Sequence, residues 1–219
     1  MSNLTRPRKR ILGSFVAAMI VALWAVPGDA TASPTRFDPL RPRVVVAQRP
    51  ALAPTIPSFA VDLPDIPPGA TFRDTEVLAG FGCTGGNQSP ALRWRGAPAG
   101  TKGFLVTLFD VDAPTSSGFW HWTVFNIPGT ATSLPAGAGT PGNAGLPAPA
   151  VLARSDFGLS GYGGPCPPAG ERPHRYTFTV VALDTADLQI PADLPTAAIN
   201  VVMRTHALAM ATRVVPYGR

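Results

Sequence analysis

The chain lacks the usual signatures of metal and nucleophilic catalysis. It has no HxH, HxxxH or HExxH spacing, so a preformed zinc site has no local support, although His121, His174, Asp110 and Asp112 are ligand types that divalent ions accept. It has no GxSxG, and no serine stands out beside either of those histidines, which argues against serine hydrolysis. No internal repeat is present, which excludes a solenoid or propeller array. After residue 32 no apolar run is long enough to span a bilayer, and cysteine occurs only at Cys83 and Cys166. Charge is scarce as well, at 14% of residues.

What the chain does have points to strands and loops. Its 26 prolines and 22 glycines disfavour a helix-rich fold, because proline lacks an N–H and glycine carries a high entropic cost. With 45% hydrophobic residues in 219, one domain with a real core is affordable. Residues 1–32 read as a secretory signal. Arg6, Arg8, Lys9 and Arg10 precede the apolar stretch Ile11–Val26, and Ala30-Thr31-Ala32 offers a small-residue cleavage site. Sixteen apolar residues are short for a membrane anchor, and no cysteine at the junction suits a lipid anchor. The expected destination is therefore secretion or the cell envelope.

Export changes the meaning of the net charge of +5. Residues 1–32 carry +3 and the Pro/Arg-rich residues 33–55 another +3, leaving −1 for residues 56–219. The basic excess thus lies outside the expected folded domain, and nucleic-acid binding is disfavoured. Residues 33–55 read as an extended tether, so any membrane contact would come through the signal segment or this basic stretch. In an oxidising compartment Cys83 and Cys166 can form a disulfide.

Strand periodicity is clear in three places. Gly103–Asp110 is apolar on both faces and suits a central strand. Trp120–Ile127 is aromatic and β-branched. His174–Leu183 places His174, Tyr176, Phe178 and Val180 on one face. Shorter strands are expected around Phe59–Leu63 and Ala91–Trp94. One long helix is expected over Thr196–Arg213, with Ile199, Val202, Met203, His206 and Met210 on its apolar stripe and His206 a core histidine. The fold class that follows is all-β, with two antiparallel sheets in a Greek-key-like β-sandwich, peripheral helices and a C-terminal helix.

Two cassettes about fifty residues apart carry the chemistry. The first runs Asp110-Val111-Asp112-Ala113-Pro114 and then Gly118-Phe119-Trp120-His121-Trp122. The second runs Gly161-Tyr162-Gly163-Gly164-Pro165-Cys166-Pro167-Pro168 and then His174-Arg175-Tyr176. If the three strand ends neighbour one another, the acids can orient the imidazoles while histidine N–H groups donate to an anion. The Gly/Pro loop could add backbone N–H donors as an anion nest. Trp120, Trp122, Tyr162 and Tyr176 would form apolar walls, and Arg175, on the opposite face from His174, suits an ion pair with Asp112.

These motifs resemble the phosphatidylethanolamine-binding protein family in its bacterial branch, related to Raf kinase inhibitor protein. The matching segments are CTGGNQSPALRW, LFDVDAP, GFWHWTVFNIP, GYGGPCPPAG and HRYTFTVVALD, with HALAMATRVVPYGR at the C-terminal end. The likeness covers roughly residues 57–219. It implies a β-sandwich with a small anion pocket lined by Asp110, His121, the Cys166-Pro167-Pro168 loop, His174 and Tyr176. Val111 stands where the family usually has proline. The expected ligand set is Asp110, Asp112, Trp120, His121, Gly164, Cys166, Pro167, Pro168, His174 and Tyr176, with no cofactor and no catalytic residue. The expected function is non-enzymatic binding of a small anion or phosphoryl head group. The alternatives are an inhibitor or regulator that uses its surface on an unknown protein partner, and a hydrolase with an Asp/His-activated water.

Overall fold

The computed structural model describes residues 56–140 and 145–219; the signal segment and the Pro/Arg-rich tether lie outside the described residues. In chain order the elements are β1 (Ala60–Asp62), β2 (Ala79–Gly80), β3 (Cys83–Thr84), β4 (Leu92–Arg95), β5 (Gly103–Asp110), β6 (Phe119–Pro128), β7 (Ser133–Leu134), β8 (Val151–Leu152), β9 (His174–Leu183), α1 (Thr196–Arg204) and β10 (Ala207–Tyr217). A five-stranded sheet runs β10-β9-β5-β6-β8 and a three-stranded sheet runs β1-β4-β7, while β2 and β3 form a separate hairpin. Every strand pair within these sheets is antiparallel.

The apolar pattern of β5 explains its central place. Phe104, Val106 and Leu108 enter the core between the sheets, where they join Leu92 and Trp94 of β4. Leu105 faces the other way and packs with Val181 of β9 and with Ile199 and Met203 of α1. A strand buried on both faces is apolar at most positions, and all eight residues of β5 are buried.

The expected long helix is corrected by the structure. It ends at Arg204, and the chain from Ala207 onward is a strand paired with β9 along its length. Thr205 closes the last turn by donating its N–H and its hydroxyl to the Val202 carbonyl. Beyond it, Ala209, Ala211 and Val215 are buried in the inter-sheet core while Thr212 and Val214 are exposed. That alternation is hidden in the sequence by alanines, which fit either period. His206 consequently lies off the helix, part-exposed and hydrogen-bonded to Asp184 at 2.8 Å, and is not a core histidine.

Candidate functional site

Three adjacent strands, β9-β5-β6, bring the two cassettes together. Asp110 continues the inward-facing series of β5 and pairs in register with Tyr176 of β9. His174 and Tyr176 lie on the face of β9 that carries Phe178 and Val180 into the core. His121 needs a further device. Between β5 and β6 the register passes from Leu108↔Trp122 to Phe109↔Trp120, so His121 is the extra residue of a β-bulge. The bulge re-aims its side chain. The imidazole stands 5.2 Å from the Tyr176 ring, on the side of the sheet that also buries Trp122.

Around these strand ends lies a cavity of about 370 Å³. Asp110, His121 and His174 give its polar wall, Cys166, Pro167 and Pro168 one rim, and Phe81, Phe119 and Phe157 an aromatic side. Asp110 is tightly held: it accepts from His174 Nδ1 at 2.8 Å and from the Asp112 N–H at 2.9 Å. Tyr176 is buried behind it. Burial first, and the Asp110 charge second, push its pKa up.

The two histidines are in opposite electrostatic states. His121 donates Nδ1–H to the Gly163 carbonyl at 2.8 Å, which makes Nε2 the nitrogen left for the cavity. Burial lowers its pKa against the opposing pull of the Gly163 carbonyl and Asp110, so His121 is neutral at pH 7 and Nε2 carries a lone pair. For His174 burial also opposes protonation, but the hydrogen bonds to Asp110 and Glu171 outweigh it and raise the pKa. Its Nε2 is engaged by Glu171 at 3.1 Å.

The Gly-rich loop does not form the anion nest expected of it. The N–H groups of Tyr162, Gly163 and Gly164 bond to Gly139 O, His121 O and Asn87 Oδ1. The prolines have no N–H to offer. These glycines serve close packing. A Cβ on Gly164 would lie 2.1 Å from the Glu76 carbonyl oxygen and 2.5 Å from Leu78 N, both backbone atoms. Gly164→Ala should therefore lower stability by about 3 kcal/mol, read by urea denaturation; an unchanged midpoint would show that the loop yields freely.

A sequence profile described as "Phosphatidylethanolamine-binding protein" matches residues 68–218. The Escherichia coli UPF0098 protein YbcL is 46% identical over 154 residues, covering 70% of this chain and 84% of that protein. Its crystal structure, described as a new member of the mammalian PEBP family, superposes with a TM-score of 0.72 at 44% identity, over 74% of this chain and 99% of that one. This chain belongs to the phosphatidylethanolamine-binding protein family. A Mycobacterium tuberculosis protein named "Putative lipoprotein LppC" is 30% identical over 174 residues, covering 80% of this chain and 79% of that protein. Among the described residues no helix is long and apolar enough to cross a membrane.

Within this family member, the residues singled out from sequence divide into two groups. Asp110, His121, Cys166, Pro167, Pro168 and His174 line the cavity. Tyr176 supports it from behind, and Asp112, Trp120 and Gly164 do not reach its wall. Asp112 instead straps β5 to β9, accepting from the N–H and guanidinium of Arg175 and from Arg172. The Arg175 hydrogen bond holds its carboxyl well below the usual range. That stabilisation is complete above a pH of about 4 and fades as pH falls further. Trp120 packs on Phe109 at 4.3 Å and donates its backbone N–H to the Asp156 carboxylate, while Trp122 and Tyr162 are core residues.

The disulfide joins Cys83 to Cys166 across a sequence separation of 83, tying the β2–β3 hairpin to the cavity rim. Sequence reading missed Phe81, Asp156, Phe157 and Glu171. Only the length of loop 155–173 flagged the last three, because a lone aromatic or acid in a loop has no periodicity to mark it.

Proposed function

We propose that this protein is an exported, non-enzymatic binding protein that holds a phosphoryl head group or related small anion in the Asp110–His121–His174 cavity. The observation that carries this reading is the state of His121. Its Nδ1 is committed to Gly163 O, so Nε2 is presented to the cavity, and an arriving anion recruits a proton to it. The resulting charge-assisted hydrogen bond is a strong one in a cavity walled by phenylalanines and prolines. Those walls accommodate the apolar part of whatever carries the anion. The name of the family, and the lipoprotein name borne by one relative, agree with a head group at an envelope surface as the ligand source.

Hydrolysis is the weaker reading. Asp110 already accepts from the Asp112 N–H and from His174, and both nitrogens of His174 face carboxylates. His121 Nε2 is therefore the one base of the three that a water could meet, and it has no carboxylate behind it to orient it, since its Nδ1 is bonded to the Gly163 carbonyl.

The test is calorimetric titration of the protein with phosphate and phosphoethanolamine, comparing wild type with His121→Ala. Saturable binding in the wild type, lost in a folded variant, is the expected result; equal binding by both would discard His121 as the anchor. Sulfate, which does not titrate over this range, isolates the protein's contribution to pH dependence. Its affinity should rise by roughly tenfold per pH unit between pH 8 and 6.5, where one proton is taken up by a histidine whose free pKa lies below about 6.5. A flat profile would contradict proton uptake at His121.

A further inference from the structure

Resting on that reading, we infer that Glu171 is a built-in competitor, a tethered carboxylate that caps the His174 imidazole and must leave before an anion reaches it. His174 is the cationic group of the cavity wall, yet neither of its nitrogens is open to a ligand. Nδ1 is held by Asp110 at 2.8 Å and Nε2 by Glu171 at 3.1 Å.

The two partners differ in kind. Asp110 is buried and also accepts from the Asp112 N–H, so it is a fixed part of the framework. The Glu171 side chain is 47% exposed, and among the described residues its carboxylate makes no hydrogen bond besides the one to His174. Its flanking residues, Gly170 and Arg172, are exposed as well. Moving Glu171 into water breaks one hydrogen bond and restores its hydration, a small cost. Moving Asp110 would strand a buried imidazolium.

The loop offers few other donors. The N–H groups of Gly163 and Gly164 are bonded within the protein, Pro165, Pro167 and Pro168 have none, and in the empty site His121 presents a lone pair. An anion that has drawn a proton to His121 therefore gains a second charge-assisted donor, His174, only by exchanging with Glu171. The cap supplies a negative charge to a buried imidazolium when the site is empty and sets the affinity when it is filled.

The experiment titrates wild type, Glu171→Gln and Glu171→Ala with phosphate, sulfate and acetate at pH 7, with thermal unfolding recorded for each. Opening the cap costs the same whichever anion follows, so Glu171→Ala should tighten all three by one common factor, about tenfold. Glu171→Gln, a neutral and weaker acceptor, should fall between. Unchanged or weakened binding in both variants would overturn the inference and make Glu171 a structural partner of His174. A gain that grows with ligand charge would also overturn it, since that marks distant repulsion and not exchange at one nitrogen. Binding by none of the three folded proteins would remove the anion reading of the cavity itself. Binding by wild type with no gain on mutation would remove only the cap.

Discussion

Asp110→Ala should lower the unfolding free energy by about 3–5 kcal/mol and abolish anion binding. The carboxylate is 4% exposed and accepts from His174 and from the Asp112 N–H. Its removal strands the Asp112 N–H and a buried imidazole whose protonation this partner favours. Part of the cost is relieved if His174 loses that proton, so the effect is smaller at pH 8 than at pH 6. Sign follows from linkage: a raised histidine pKa stabilises fully below about pH 6.5, and the stabilisation is lost as pH rises through the folded value. Denaturant unfolding at both pH values measures it. A loss under about 1 kcal/mol at either pH would show that Asp110 is not the keystone of the strand ends.

Removing the disulfide is the second large perturbation. Cys83 and Cys166 are separated by 83 residues, and closing a loop of that length in the unfolded chain is worth about 4–5 kcal/mol in the chain-entropy picture. Cys83→Ser with Cys166→Ser should show that loss in urea unfolding. It should also weaken anion binding, because Cys166 and its two following prolines form the cavity rim and the bridge is their covalent link to the β2–β3 hairpin. Arg219 reinforces the same join, donating to Pro167 O and Gly82 O, so the hairpin keeps some attachment in the variant. Stability equal to that of the oxidised wild type would mean the unfolded chain is already compact across this loop.

Much of the architecture was legible in the sequence because its strands are long and buried. Gly103–Asp110 and His174–Leu183 were read to the residue, and their ends supplied Asp110, His174 and Tyr176. The first cassette supplied His121 and the second the Cys166-Pro167-Pro168 rim, and the likeness to the family joined them in one pocket; all line the cavity wall. What escaped was set by tertiary contacts that no periodicity records. The bulge at His121 breaks strict alternation, so the inward aim of that ring could not be counted off from Trp122. The loop glycines looked like an anion nest, but their meaning came from what sits against them, Phe157 at Gly163 and the Glu76–Leu78 backbone at Gly164. Strand β10 was mistaken for helix because its alanines fit either period, and Asp112 was drawn to the cavity although two arginines hold it on the outer side.

The central claim is that an anion enters this cavity by recruiting a proton to His121 Nε2. It is tested most directly by nitrogen NMR of the histidine side chains at pH 7, before and after saturation with phosphate. His121 should begin as the neutral Nδ1–H tautomer and become doubly protonated in the complex, while His174 stays protonated throughout. Phosphate that binds while the His121 nitrogens keep their free-state shifts, or a His121 already doubly protonated in the free protein, would contradict it.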